Sequence, residues 1–136
     1  MPHHRPMRAA LAAAALFAAT AAAAETAERG RALYAAHCAT CHGLFGAGDG
    51  PMAGVMAIEV ANLRRLSAEA GGRFPLRRAI STIDGRTELR GHGGAMPVYG
   101  LSLGGEPVAV VAEDGEELMT GADFLALARY LETLQE

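Results

Sequence analysis

The chain has 136 residues, 51% of them apolar and 20% charged, which is enough for one ordinary domain and too apolar for a disordered one. From Glu25 onward ten arginines meet fifteen acids, a net −5 that argues against a nucleic-acid partner, because phosphates need basic surface. Two cysteines are too few for a disulfide scaffold or a four-thiolate metal site.

Arg5 and Arg8 precede an apolar run over 9–19, then small residues lead to Ala22 and Ala24, an A-x-A pattern just before Glu25. The run is short and alanine-rich, weak for a helix that must cross about 30 Å of hydrocarbon. The expectation is a cleaved signal peptide over 1–24 and an exported domain over 25–136, with no stable membrane insertion afterwards. An uncleaved anchor or a plain alanine-rich helix is the alternative.

Within 25–136, residues 28–38 predict a helix with Leu33, Tyr34 and His37 at helical spacing. Gly43, Gly46, Gly48, Gly50 and Pro51 then force a loop. A short turn is expected within 52–60 and another from Ser67. Leu76, Ala79, Ile80 and Ile83 mark a second helix that Gly85 closes, with Arg77 and Arg78 facing outward. A second glycine-rich loop holds His92 and Met96. Residues 107–119 predict a hairpin turning at Asp114-Gly115. The last helix spans 121–135, with Phe124, Leu127, Tyr130, Leu131 and Leu134 on one face. Long loops in so small a domain suggest that something other than protein fills the core.

Cys38-Ala39-Thr40-Cys41-His42 is C-x-x-C-H, the pattern for covalent haem c attachment. Two thiols three residues apart can reach the two vinyl groups on one side of a macrocycle, and the next residue falls under the iron, where a neutral imidazole binds. A redox dithiol would want a βαβ setting and has no use for His42. A zinc site would need further ligands from His37, His92 and carboxylates, in no recognised spacing.

These residues resemble the small monohaem class I cytochromes c of bacteria. The likeness covers most of 28–100 and resumes at 122–135. It implies an all-α cytochrome c fold around one covalent haem, with N- and C-terminal helices crossing where Gly30 and Tyr34 meet Leu127, Tyr130 and Leu131. The hairpin is an addition before the C-terminal helix. Gly50-Pro51 is similar to the family's loop proline, whose carbonyl accepts the Nδ1–H of the haem histidine; that role is expected of Pro51. Gly94-Ala95-Met96-Pro97 matches the family's sixth-ligand loop. The expected iron ligands are therefore His42 and Met96, with His92 as the rival for the sixth position. Met52, Met56 and Met119 are expected as core filler. Arg64, Arg65, Arg73, Arg86 and Arg90 are candidates to pair with haem propionates.

The resemblance implies a periplasmic one-electron carrier, a monomer and not an enzyme, exchanging electrons with transient donor and acceptor proteins. Its net charge favours a basic patch on a partner. Residues 101–120, with Glu113, Asp114, Glu116 and Glu117, read as a solvated insert or as a docking surface. The latter would make the chain an electron-transfer subunit of a larger periplasmic oxidoreductase. A haem enzyme or gas sensor with an open sixth site is the third reading.

Overall fold

The computed structural model describes residues 22–85 and 96–136. Among them, α1 covers 22–37 and α2 is Ala39–His42; α3 is Leu66–Glu69, α4 is Leu76–Asp84 and α5 is Ala122–Thr133. The one sheet among the described residues is an antiparallel pair, β1 (Pro107–Val111) and β2 (Glu117–Gly121), with Ala109 opposite Met119. This is the helical domain with a hairpin ahead of its last helix that the sequence predicts.

The frame is the crossing of α1 and α5. A Cβ on Gly30 would collide with the Ala126 carbonyl and come within 2.8 Å of Tyr130 Cβ, so only glycine lets the two backbones come this close. One turn on, the rings of Tyr34 and Tyr130 lie 5.2 Å apart, tilted by 54°. From α5, Phe124, Leu127, Ala128 and Leu131 are buried, and they join Leu76, Ala79, Ile80 and Ile83 of α4 in one core. Helix α4 ends as its sequence dictates, with Gly85 in the left-handed conformation (φ 69°) and its N–H on the Ser81 carbonyl.

The hairpin turns at Asp114-Gly115 as the sequence predicts, with the Ala112 N–H on Glu116 O, the Gly115 N–H on Ala112 O and Gly115 (φ 84°) at the bend, but it is not merely a solvated insert. Two of its acids turn back onto α4. That helix begins after Pro75, which offers no side-chain cap. Glu113 supplies one from 36 residues away, accepting the Arg77 N–H at 3.0 Å. Asp114 takes the Arg77 guanidinium at 2.8 and 3.2 Å. Arg77 therefore does not simply face outward as expected; it is clamped. Met52 and Met119 are exposed rather than core filler.

Candidate functional site

Helix α1 delivers the cysteine motif. The Cys38 N–H continues the helical ladder to Tyr34 O (2.8 Å), and both Cys41 and His42 donate to Cys38 O. Tyr34, 2% exposed, donates its hydroxyl to the Gly43 carbonyl at 2.6 Å and so pins the far end of the motif back onto α1. Burial pushes the Tyr34 phenol well above its ordinary value, which keeps it a donor. Burial, and then the neighbouring Cys41, pushes the Cys38 thiol up to about 11.

His42 Nδ1 lies 3.0 Å from the carbonyl oxygen of Ala61. A carbonyl only accepts, so Nδ1 holds the proton and the neutral ring keeps its lone pair on Nε2, free for a metal. This corrects the expectation for Pro51. Residues 50–52 are occupied elsewhere: Gly50 N–H donates to Cys41 O (3.1 Å) and Met52 N–H to Thr40 O (2.9 Å), folding that turn back against α2. Ala61 arrives instead because the 60–63 limb crosses the glycine loop closely. Leu63 N–H bonds Gly46 O at 2.7 Å, and a Cβ on Gly48 would lie 2.6 Å from Val60 O. Gln135 fastens the same limb from the C-terminus, donating to Leu63 O and accepting from Ser67 N–H, both at 2.8 Å.

Cys38, His42, Thr82 and Met96 line two adjoining hollows, of about 280 and about 80 Å³. The larger is also bounded by Cys41, Met56, Val60, Ala61, Pro97 and Tyr99. The smaller reaches inward to Leu63, Leu127 and Leu131, with Arg78 on its wall. The structure thus brings Cys38, Cys41, His42 and Met96 around one space, with Met56 on its wall rather than in the core. His92, Arg86 and Arg90 lie outside the described residues, as do residues 1–21. Of the other arginine candidates, Arg64 is taken by an ion pair with Glu136, and Arg65 and Arg73 are exposed.

Three participants escape the sequence analysis. Ala61 acts through its backbone, which no residue type announces. Arg78 lies one helical turn before Thr82 on the same wall of α4. Tyr99 carried a usable signal, an aromatic three residues beyond Met96. Its hydroxyl donates to the His37 carbonyl at 2.5 Å.

The donor set fits a covalently held haem. Both thiols are free, the wall between them and Met96 is largely apolar, and the fixed imidazole offers one nitrogen and a thioether faces the same space. The rival chemistries find no such support. Among the described residues no three His, Cys, Asp or Glu side chains gather as metal ligands, and no βαβ unit surrounds the cysteines. A small helical domain with this motif opening onto an apolar cavity is the arrangement of a haem-binding protein. The family model for cytochrome c matches residues 27–135, and the chain belongs to the cytochrome c family. With the family come covalently bound haem c and haem-based electron transfer; its domains are mostly electron carriers and are commonly exported. Neither the curated proteins nor the solved structures compared with the chain gave a match.

Proposed function

We propose that the chain is an exported, periplasmic one-electron carrier that holds a single haem c between His42 and Met96. The observation that carries this reading is the convergence of Cys38, Cys41, His42 and Met96 on one cavity from segments 54 residues apart in sequence. When bound, the haem supplies a one-electron iron couple. The chain's own residues do the rest. Cys38 and Cys41 hold the group covalently. His42, its Nδ1–H committed to Ala61, offers Nε2 as a fixed and more basic ligand. Met96 offers a soft thioether, which favours reduced iron and raises the potential. Leu63, Leu127 and Leu131 keep water from the inner side, and Arg78, on the wall of the same hollow, would pair with a propionate. No acid–base group is needed for outer-sphere transfer. Donor and acceptor bind transiently, as weak redox pairs do.

The test is the visible spectrum of protein exported together with cytochrome c maturation factors. A low-spin c-type spectrum with the weak long-wavelength band of methionine on ferric iron, lost in Met96→Ala, supports the carrier. A high-spin spectrum, or carbon monoxide binding in the native fold, overturns it in favour of an open site.

A second reading, a subunit of a larger oxidoreductase, is favoured by Val111 and Met119, 63% and 60% exposed on the outer face of the hairpin. Stable co-purification with a partner supports it; monomeric behaviour in extract supports the free carrier.

A further inference from the structure

Helix α1 ends at 37, so its last carbonyls have no partner within the helix. The His37 carbonyl finds one 62 residues away, in the hydroxyl of Tyr99 at 2.5 Å. The Tyr99 ring also packs edge-on against the His37 imidazole, with centroids 5.9 Å apart. Its backbone is fixed too: the Ser102 and Leu103 N–H groups donate to Tyr99 O at 2.9 and 2.8 Å, closing a short turn. The phenol is thus held at its hydroxyl and its ring, on a backbone that the turn fixes. Cys38 follows immediately on one side of this contact, and Met96 stands three residues before it on the other. Both residues, with Tyr99 itself, line the same cavity.

We propose that Tyr99 is a positioning residue whose hydroxyl ties the limb bearing Met96 to the end of α1, and that this tie sets how firmly Met96 stays on the iron. The inference rests on Met96 being the sixth ligand. Where Met96 leaves by its limb moving back, that movement breaks the Tyr99–His37 bond. Losing that bond removes one net hydrogen bond from the cost of displacement, which corresponds to roughly a fivefold change in equilibrium.

The experiment is an imidazole titration of the full-length, haem-loaded ferric protein, followed at the long-wavelength methionine band. Tyr99→Phe keeps the ring and removes only the hydroxyl. Its apparent affinity for imidazole is expected to rise about fivefold, and Tyr99→Leu, which also loses the ring contact, is expected to rise further. Arg29→Ala, which breaks an exposed ion pair between Arg29 and Asp123, is the control for loss of stability alone and should leave the titration unchanged. If Tyr99→Phe moves the titration no more than Arg29→Ala, the positioning role is overturned while the Met96 reading stands. If the unsubstituted protein has no methionine band, the ligand reading fails and the Tyr99 inference falls with it.

Discussion

His42 gives its Nδ1 to the carbonyl of Ala61 at 3.0 Å, a bond across 19 residues that fixes both the tautomer and the plane of the proposed iron ligand. The bond depends on how near the 60–63 limb can come, and Gly48 sets that distance. Gly48 has φ +82°, and an added Cβ would sit 2.6 Å from Val60 O and 3.3 Å from Ala61 O. Gly48→Ala is expected to cost about 1–3 kcal/mol, from the left-handed backbone and the clash together. It should also push the Ala61 carbonyl off His42, lower the basicity of the ligand and shift the midpoint potential upward. Gly54→Ala, in open space, is the comparison and should change neither stability by that amount nor the potential. Denaturant melts and a redox titration of the two variants decide it.

The crossing of α1 and α5 makes a second prediction. Gly30 faces the backbone of Ala126, which cannot step aside as the tip of a side chain could. Gly30→Val is expected to destabilise the haem-loaded protein by about 1–3 kcal/mol, in the manner of an overpacked core. A denaturant midpoint equal to that of the parent protein would mean that the helices do not cross here.

What the sequence made legible follows from where its information sits. The apolar periods of α4 and α5 and the Gly85 stop are written in side chains and fall where their spacing puts them; the C-x-x-C-H motif and Met96 are legible in the same way, and they line one cavity. Ala61 was invisible because the group that acts is a carbonyl that every residue has. Pro51 misleads for the same reason: a local pattern points to one carbonyl acceptor, but tertiary packing brings up that of another segment. Ala126 and Ala128, 1% and 0% exposed, were passed over because alanine has too small an apolar signal to mark a face. Glu113 and Asp114 read as solvated because their partner, Arg77, lies 36 and 37 residues earlier.

The hairpin tip gives a third prediction. Glu113 is the side-chain cap that α4 lacks at its own start, and α4 carries Arg78, Ala79, Thr82 and Ile83 along the cavity. Glu113→Ala is expected to lose about 1 kcal/mol, as removal of a helix cap does. Glu113→Gln keeps an acceptor oxygen and should recover most of it. Urea unfolding of both variants is the measurement; equal loss in the two would point to charge rather than to capping.

Asp114 adds a pH dependence to the same clamp. Its hydrogen bond to Arg77, and the one from the Glu116 N–H, hold its carboxyl below the usual value of 3.8. A carboxyl lowered on folding stabilises the protein at every pH above its unfolded value, and that contribution disappears as pH falls through the lower, folded value. The difference in stability between the parent and Asp114→Asn should therefore be constant from neutrality down to about pH 4 and vanish in more acid solution. The pair is exposed, so added salt should shrink the difference as well. A difference that grows towards acid pH would contradict the clamp.

The last prediction concerns the protein without its haem. The apolar walls formed by Leu63, Leu66, Ile83, Leu127 and Leu131 on one side, and by Met56, Val60 and Met96 on the other, would then face water. Leaving these apolar side chains in water forgoes about 1.5–3 kcal/mol for each one that the haem would bury, which together is comparable with the whole stability of a small domain, about 5–15 kcal/mol. The double variant Cys38→Ala, Cys41→Ala, produced without haem, should therefore lack a cooperative thermal transition. Its near-ultraviolet circular dichroism should be weak, because Tyr34 and Tyr130 would no longer be held against each other. The Tyr34 hydroxyl and Gly43 hold the motif within the protein itself, so local helix over 28–37 can persist while packing is lost. A sharp melt with strong near-ultraviolet bands would mean that α1, α4 and α5 close on one another unaided, and that the haem joins a core the chain has already made.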